Sequence, residues 1–177
     1  MDRITPPTVA DAMADWLLGN GVTTAFGIIG GGNVTLFDAL AKRINVVCCH
    51  HEQAAAMAAT YYWRTCERIA PVVVTSGAGS ANAITGVMAA HMDGVPLLVL
   101  AGNEKLAAMQ ERTRIIGIQG FRSDYVAEHF TKLARMVASA RFALSVLEEC
   151  YKAATTPRYG ATWINIPADV QRDWVSQ

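Results

Sequence analysis

The sequence of 177 residues predicts an α/β fold, a parallel sheet of about six strands with helices on both faces. Three observations carry this. Short apolar segments rich in Val and Ile alternate with longer segments whose apolar residues recur at helical spacing. The short segments lack the two-residue alternation of a half-solvated strand, so both faces of the sheet are covered. Glycines cluster directly after two of these segments, where a strand turns into a helix.

Each element follows in order. Thr8 to Leu18 reads as a helix: Val9, Ala12, Met13, Trp16 and Leu17 share a side, Thr8 caps it, and Gly19-Asn20-Gly21 ends it. Val22 to Ile29 is a strand running into Gly30-Gly31-Gly32. Val34 to Arg43 is a helix, Ile44 to Cys49 a compact buried strand, and Glu52 to Cys66 an Ala-rich helix. Ala70 to Thr75 is a β-branched strand, Gly77-Ala78-Gly79 a turn, Ser80 to Met92 a helix, and Pro96 to Ala101 a strand. Gly102 to Ser123 has mixed charge without clear period and reads as a long functional loop with some helix. Lys132 to Val137 is a further strand. Ser139 to Ala154 is an amphipathic helix, with Phe142, Ala143, Val146, Leu147, Cys150 and Ala154 on one side. Ala161 to Ile166 is the last strand.

Composition narrows the function. Apolar residues including Gly make up about 60%, against a typical value of about 45–50%. Charged residues are 17%, against about 25%. The excess predicts that part of the surface is buried against another subunit. Net charge is zero and no like-charge run exists, so nothing here tracks a nucleic-acid backbone. Ile69 to Met92 carries no charged residue, but its glycines, Pro71 and Asn82 fit a buried strand and helix better than a membrane span. The four cysteines show no CxxC spacing, and Cys48 and Cys49 read as strand packing in a reduced, cytoplasmic protein. The opening residues have no signal-peptide pattern.

In a parallel α/β sheet, ligands bind beyond the carboxyl ends of the strands. Gly30–Asn33, His50–Gln53 and Ser76–Asn82 lie there. The glycines of the first and third loops allow either tight turns alone or close approach of backbone to a ligand. Neither loop has the spacing of a dinucleotide fingerprint or a P-loop. Glu52 opens a helix after a buried strand. Burial raises a carboxyl pKa and a helix N-terminus lowers it, which suits a group exchanging a proton near neutrality. A first-turn Glu also favours the helix by itself, with Gln53 a candidate cap. His50, His51 and Glu52 are consecutive and point in different directions, so they do not form a metal site. Tyr61, Tyr62 and Trp63 read as core or interface.

The runs FGIIGGGNVTLFDAL, HHEQAAAMAATYYWR and VVVTSGAGSANAITGVMAAHMDGVPLLVLAGN, followed by GIQGFRSD and YGATWINIPADVQ, resemble the acetolactate-synthase-like thiamine diphosphate (ThDP) enzymes. The match is to their N-terminal pyrimidine-binding (PYR) domain and covers residues 5 to 172. The resemblance implies one PYR domain over residues 1–177, with no diphosphate-binding (PP) domain and no central domain. It also implies a mechanism in which the cofactor carries the hard chemistry. A glutamate, here Glu52, hydrogen-bonds N1′ of the aminopyrimidine, and the cofactor's own imino nitrogen then removes the thiazolium proton. A 2-oxo acid is decarboxylated and its acyl unit passes to a second carbonyl. Ile28, Ile29 and Gly30 align with a Tyr-Pro-Gly turn against the pyrimidine, with only the Gly kept. Thr75, Gly79 and Asn82 match cofactor contacts, and Ala78 stands where relatives often have Pro. Gln119 matches the Gln of a Phe-Gln-Glu motif whose flanks are here Ile118 and Gly120. True acetolactate synthases carry Lys at the position of Ala168, near the substrate and flavin region, so this departure bears on acetolactate synthesis itself.

The PP domain of the family binds diphosphate and Mg2+ through GDG and a later Asn, and this sequence has no GDG. The resemblance therefore implies half of a cofactor site, completed by a PP-domain subunit that holds Mg2+, in an α2β2 heterotetramer. Its alternatives are a simple 2-oxo acid decarboxylase, as in split sulfopyruvate-type enzymes, and a non-catalytic PYR-like regulatory subunit.

Overall fold

The computed structural model describes residues 6–109 and 113–175. The chain runs α1 (Val9–Gly19), β1 (Thr24–Gly27), α2 (Val34–Ala41), β2 (Asn45–Cys48), α3 (Glu52–Cys66), β3 (Val72–Val74) and α4 (Ala78–Met92). It continues through β4 (Leu97–Asn103), α5 (Leu106–Met109), α6 (Ser123–Ala127), β5 (Leu133–Met136), α7 (Ala143–Thr155) and β6 (Ala161–Pro167). One 3-10 turn, Ala140–Phe142, leads into α7, and another, Val170–Arg172, follows β6. The six strands form one sheet in the order β2-β1-β3-β4-β6-β5, and every neighbouring pair is parallel.

The sheet separates two apolar layers. Val73, Leu98, Leu100, Ile164 and Ile166 face α1, α2 and α7, where Met13, Leu17, Leu36, Leu40 and Leu147 are fully buried. Val72, Val74, Val99, Ala101 and Trp163 face α3 and α4, whose contact residues are mostly Ala. Both faces being apolar is why the strands show no two-residue alternation. Small residues let α3 and α4 pack closely, and a Cβ at Gly86 would lie 2.6 Å from Ala56 Cβ. Thr8 caps α1 as expected, accepting from the Asp11 N–H at 3.2 Å.

Several boundaries differ from the sequence expectation. The segment Ile44–Cys49 is not a buried strand: β2 is the sheet edge, with Val47 and Cys48 exposed. Cys48 therefore faces solvent rather than packing, and Cys49 is half-buried. An apolar segment does not reveal whether one flank or both will be paired. Gly77-Ala78-Gly79 is not a free turn, because Gly77 is the N-cap of α4 and the helix starts at Ala78. Gly102–Ser123 is shorter as a loop than expected, since β4 extends to Asn103, α5 follows, and α6 begins at Ser123. The uncharged stretch Ile69–Met92 is β3 and α4, and among the described residues no helix is long and apolar enough to cross a membrane.

Candidate functional site

From β1 the chain moves outward to β2 and then returns to β3 on the other side, so the winding reverses between β1 and β3. The carboxyl ends of strands at such a reversal leave a crevice, the usual ligand site of open α/β sheets. The loops after β1, β2 and β3 meet there.

The loop after β1 is closed by Asn33. Its Oδ1 accepts from the Gly30 N–H at 2.7 Å, and its Nδ2 donates to the Ile28 carbonyl at 2.9 Å. Asn33 is the N-cap of α2, yet its side chain makes no cap bond to that helix. Gln171, from the turn after β6, supplies one instead. Its Oε1 accepts from the Leu36 N–H at 3.2 Å, while its Nε2 donates to the carbonyls of Gly32 at 2.7 Å and Ile166 at 2.8 Å. Gln171 is buried, so these bonds exchange little with water.

Thr75 lies at the centre of the crevice. Its Oγ1 accepts from the Gly32 N–H at 3.0 Å. A Cβ at Gly30 would lie 2.6 Å from Thr75 Oγ1, and one at Gly79 would lie 2.7 Å from Thr75 Cγ2 and 3.2 Å from Glu52 Oε1. Both glycines are thus required by close approach.

Glu52 is the first residue of α3 and is 8% exposed. His51, not Gln53, caps that helix: its Nδ1 accepts from the Gln53 N–H at 3.3 Å. Asn82, one turn into α4, donates its Nδ2 to Glu52 Oε2 at 3.0 Å. Among the described residues no donor reaches Oε1. The carboxylate is therefore buried, oriented through one oxygen, and free to bond through the other. That oxygen borders the bare Cα of Gly79.

The remaining expected residues surround this core. Ile28 is half-buried and Ile29 is 53% exposed, so the Ile pair borders the crevice without filling it. The exposed Ala78 begins α4. Gln119 arrives from the loop after α5. Its main-chain oxygen would sit 2.4 Å from a Cβ at Gly77, whose φ of +67° also demands glycine. Gln119 Nε2 donates to the Ser76 carbonyl at 3.5 Å, and its N–H donates to Glu104 Oε1 at 3.4 Å. Glu52, Asn82, Gly79, Thr75 and Gly30 therefore form one cluster. Gln119 joins it across Ser76 and Gly77, over a cavity of about 270 Å3.

Sequence reading missed Asn33, Gln171 and Glu104. Asn33 stands at a helix start, where a side-chain cap is the ordinary inference. Gln171 shows no signal in sequence, because the two partners that tie it to the glycine loop and α2 lie 135 and 139 positions away. A buried chain of polar groups also holds the Gln119 loop. Asn103 Nδ2 donates to the Phe121 carbonyl at 2.8 Å and to Asn165 Oδ1 at 2.9 Å, and Asn165 Nδ2 donates to Asp124 Oδ1 at 2.9 Å. Asp124 in turn pairs with Arg122. Among the described residues no cluster of three metal-ligating side chains occurs.

The N-terminal TPP-binding domain of thiamine pyrophosphate enzymes matches residues 7–123, and the chain belongs to that family. It is 33% identical over 166 residues to the acetolactate synthase isozyme 3 large subunit of Escherichia coli, covering 91% of this chain and 28% of that protein. It is 32% identical over 162 residues to an acetolactate synthase of Bacillus subtilis, covering 91% and 28%. It is 29% identical over 172 residues to the chloroplastic acetolactate synthase of Arabidopsis thaliana, covering 94% and 25%. The chain thus spans about a quarter of the length of these relatives.

Proposed function

We propose that this chain is the pyrimidine-binding half of a two-component ThDP enzyme. It forms one PYR domain over residues 1–177, and a separate PP-domain subunit holds the diphosphate and Mg2+ in an α2β2 heterotetramer. The reaction is decarboxylation of a 2-oxo acid with transfer of the acyl unit to a second carbonyl. The observation that supports the pyrimidine-binding part of this reading is the state of Glu52: buried, fixed by Asn82 through Oε2, and open at Oε1 beside Gly79.

The residues fit an aminopyrimidine. A Cβ at Gly30 or Gly79 would collide with Thr75, so these glycines let the loops after β1 and β3 close in around the Glu52 carboxylate. A ring nitrogen that shares a proton needs one carboxyl oxygen aimed at it in a site of low dielectric. When bound, the cofactor supplies the carbanion chemistry. Glu52 holds and moves a proton at N1′, while Asn82 keeps the carboxylate from rotating away. Thr75 and the Gly30–Gly32 loop set the floor. Gln119, with Ile28, Ile29 and Ala78, lines the approach. The spread of exposed apolar side chains at Ile29, Met57, Tyr61, Met92 and Ile118 fits a chain whose surface meets a partner.

The test uses the chain purified together with its partner subunit from its host. Release of CO2 from pyruvate is measured with ThDP and Mg2+ present. Glu52→Gln replaces the ionisable carboxyl with an amide that cannot exchange a proton but keeps the shape, and turnover should fall by about 10²–10⁴-fold with assembly intact. Turnover within about twofold of the parent would sink the role of Glu52, since a positioned acid–base group contributes far more. Product analysis separates the two chemistries: an acyloin or acetohydroxy acid marks carboligation, and a free aldehyde marks simple decarboxylation.

A further inference from the structure

The cavity of about 270 Å3 beside the glycine cradle has an unbalanced lining. Gly32, Ser76 and Gln119 line one part of it, and Asn103, the carboxylate of Glu104 and the exposed cations Lys105 and Arg172 lie around the rest. Its volume accommodates an acid of a few carbons.

Two carboxylates lie close to these cations, and both already have partners. Glu104 is wrapped by the turn 116–120. Its Oε1 accepts from the Gln119 N–H at 3.4 Å, and a Cβ at Gly117 or Gly120 would lie 2.5 Å from its side chain. Asp169 accepts from the Leu106 N–H at 2.9 and 3.1 Å and from the Val170 N–H at 3.0 Å. Among the described residues, neither Lys105 nor Arg172 forms an ion pair. Arg172 is nevertheless oriented, because its Nε donates to Thr35 Oγ1 at 3.2 Å and the terminal guanidinium nitrogens stay available.

From this lining we infer that Lys105 and Arg172 read a second negative charge on the substrate. The 2-oxo acid turned over then carries an anionic group at the end remote from its keto carbon. The inference rests on the reading of the Glu52 site given above. It adds the class of substrate: a small dianion, its tail held by a guanidinium and an ammonium, with Asn103 and Gln119 beside it. A guanidinium matches the planar oxygens of a carboxylate or the tetrahedral oxygens of a phosphonate.

The experiment compares 2-oxobutanoate, whose tail is neutral, with 2-oxoglutarate and phosphonopyruvate in the complex of this chain and its partner subunit. At least one anionic-tailed substrate should exceed 2-oxobutanoate in kcat/KM by about tenfold or more, as expected when a site's polar groups are left unpaired by the wrong substrate. In Lys105→Met and Arg172→Met that ratio should shrink about tenfold, mainly through KM, and Arg172→Lys should recover part of it. An equal or higher kcat/KM for 2-oxobutanoate overturns this inference and leaves the Glu52 reading standing. So does a preference that survives in the double variant. Turnover of none of the three, with CO2 still released from pyruvate, overturns this inference and leaves the Glu52 reading standing; no CO2 from pyruvate either overturns both.

Discussion

Gln171→Met tests the internal scaffold of the glycine loop. The substitution keeps side-chain length and removes both the amide donor and the amide acceptor. Three groups then lose their partner: the carbonyls of Gly32 and Ile166, and the N–H of Leu36. The side chain is 1% exposed, so water replaces these bonds poorly. At about 1–3 kcal/mol for each buried group left bare, full addition gives about 3–9 kcal/mol. Carbonyls keep a second lone pair, and the loop can shift toward water, so the low end, about 3 kcal/mol, is the expected loss. The assay is urea unfolding of the purified chain followed by far-UV circular dichroism, with the slope m unchanged from the parent. Because Gly32 also donates to Thr75, cofactor affinity of the assembled enzyme should fall alongside stability. A loss below about 1 kcal/mol would mean that the loop is held by its own turn and not by Gln171.

Three further outcomes are expected. Gly79→Ala places a methyl 2.7 Å from Thr75 Cγ2 and 3.2 Å from Glu52 Oε1. It should cost about 1–3 kcal/mol by overpacking and weaken ThDP binding measured by titration calorimetry of the assembled enzyme; unchanged binding would show that the space beside Oε1 is not used. Burial pushes the Asp124 carboxyl up, but hydrogen bonds from Arg122 and Asn165 outweigh this and hold it below its usual value. Its ionised form therefore adds stability that is fully present above the ordinary Asp pKa of about 4, and the gap between parent and Asp124→Asn should narrow as pH falls below about 4 through the lowered folded value, as read in urea titrations. Burial pushes the Cys150 thiol up to about 12. Iodoacetamide at pH 8 should thus label the exposed Cys48 and Cys66 in the folded chain and reach Cys150 only after unfolding, as read by peptide mass.

Elements whose residues agree with one another were legible in the sequence. The all-Val β3, the Ala-rich α3 and the amphipathic α7 each state their type through composition and period, and the parallel sheet follows from their alternation. Glu52 was legible because a carboxylate at a strand-to-helix junction is a local feature. What was not legible is relational. The edge position of β2 depends on which strand pairs where, and Asn45–Cys48 has the composition of an interior strand. Gln171 acts on residues more than 130 positions away. The start of α4 moved two residues earlier because Gly77 takes a positive φ as the cap, a conformation that the turn reading allowed without fixing the helix onset.

The same distinction separates the glycine cluster around Thr75 from the cavity beside Gln119. The cradle is defined by exclusion: Gly30 and Gly79 are glycines because Thr75 and Glu52 already occupy the space of a Cβ. Exclusion of that kind leaves a mark in sequence, since only one residue type satisfies it. The cavity beside Gln119 is defined by what remains after the local charges have been paired. Glu104 and Asp169 look like natural partners for Lys105 and Arg172 when only sequence distance is considered. Their backbone contacts use them instead, one in the turn 116–120 and the other at the Leu106 and Val170 N–H groups. Two cations without an ion pair among the described residues, gathered at a cavity that Glu104 also lines, are thus a product of the fold.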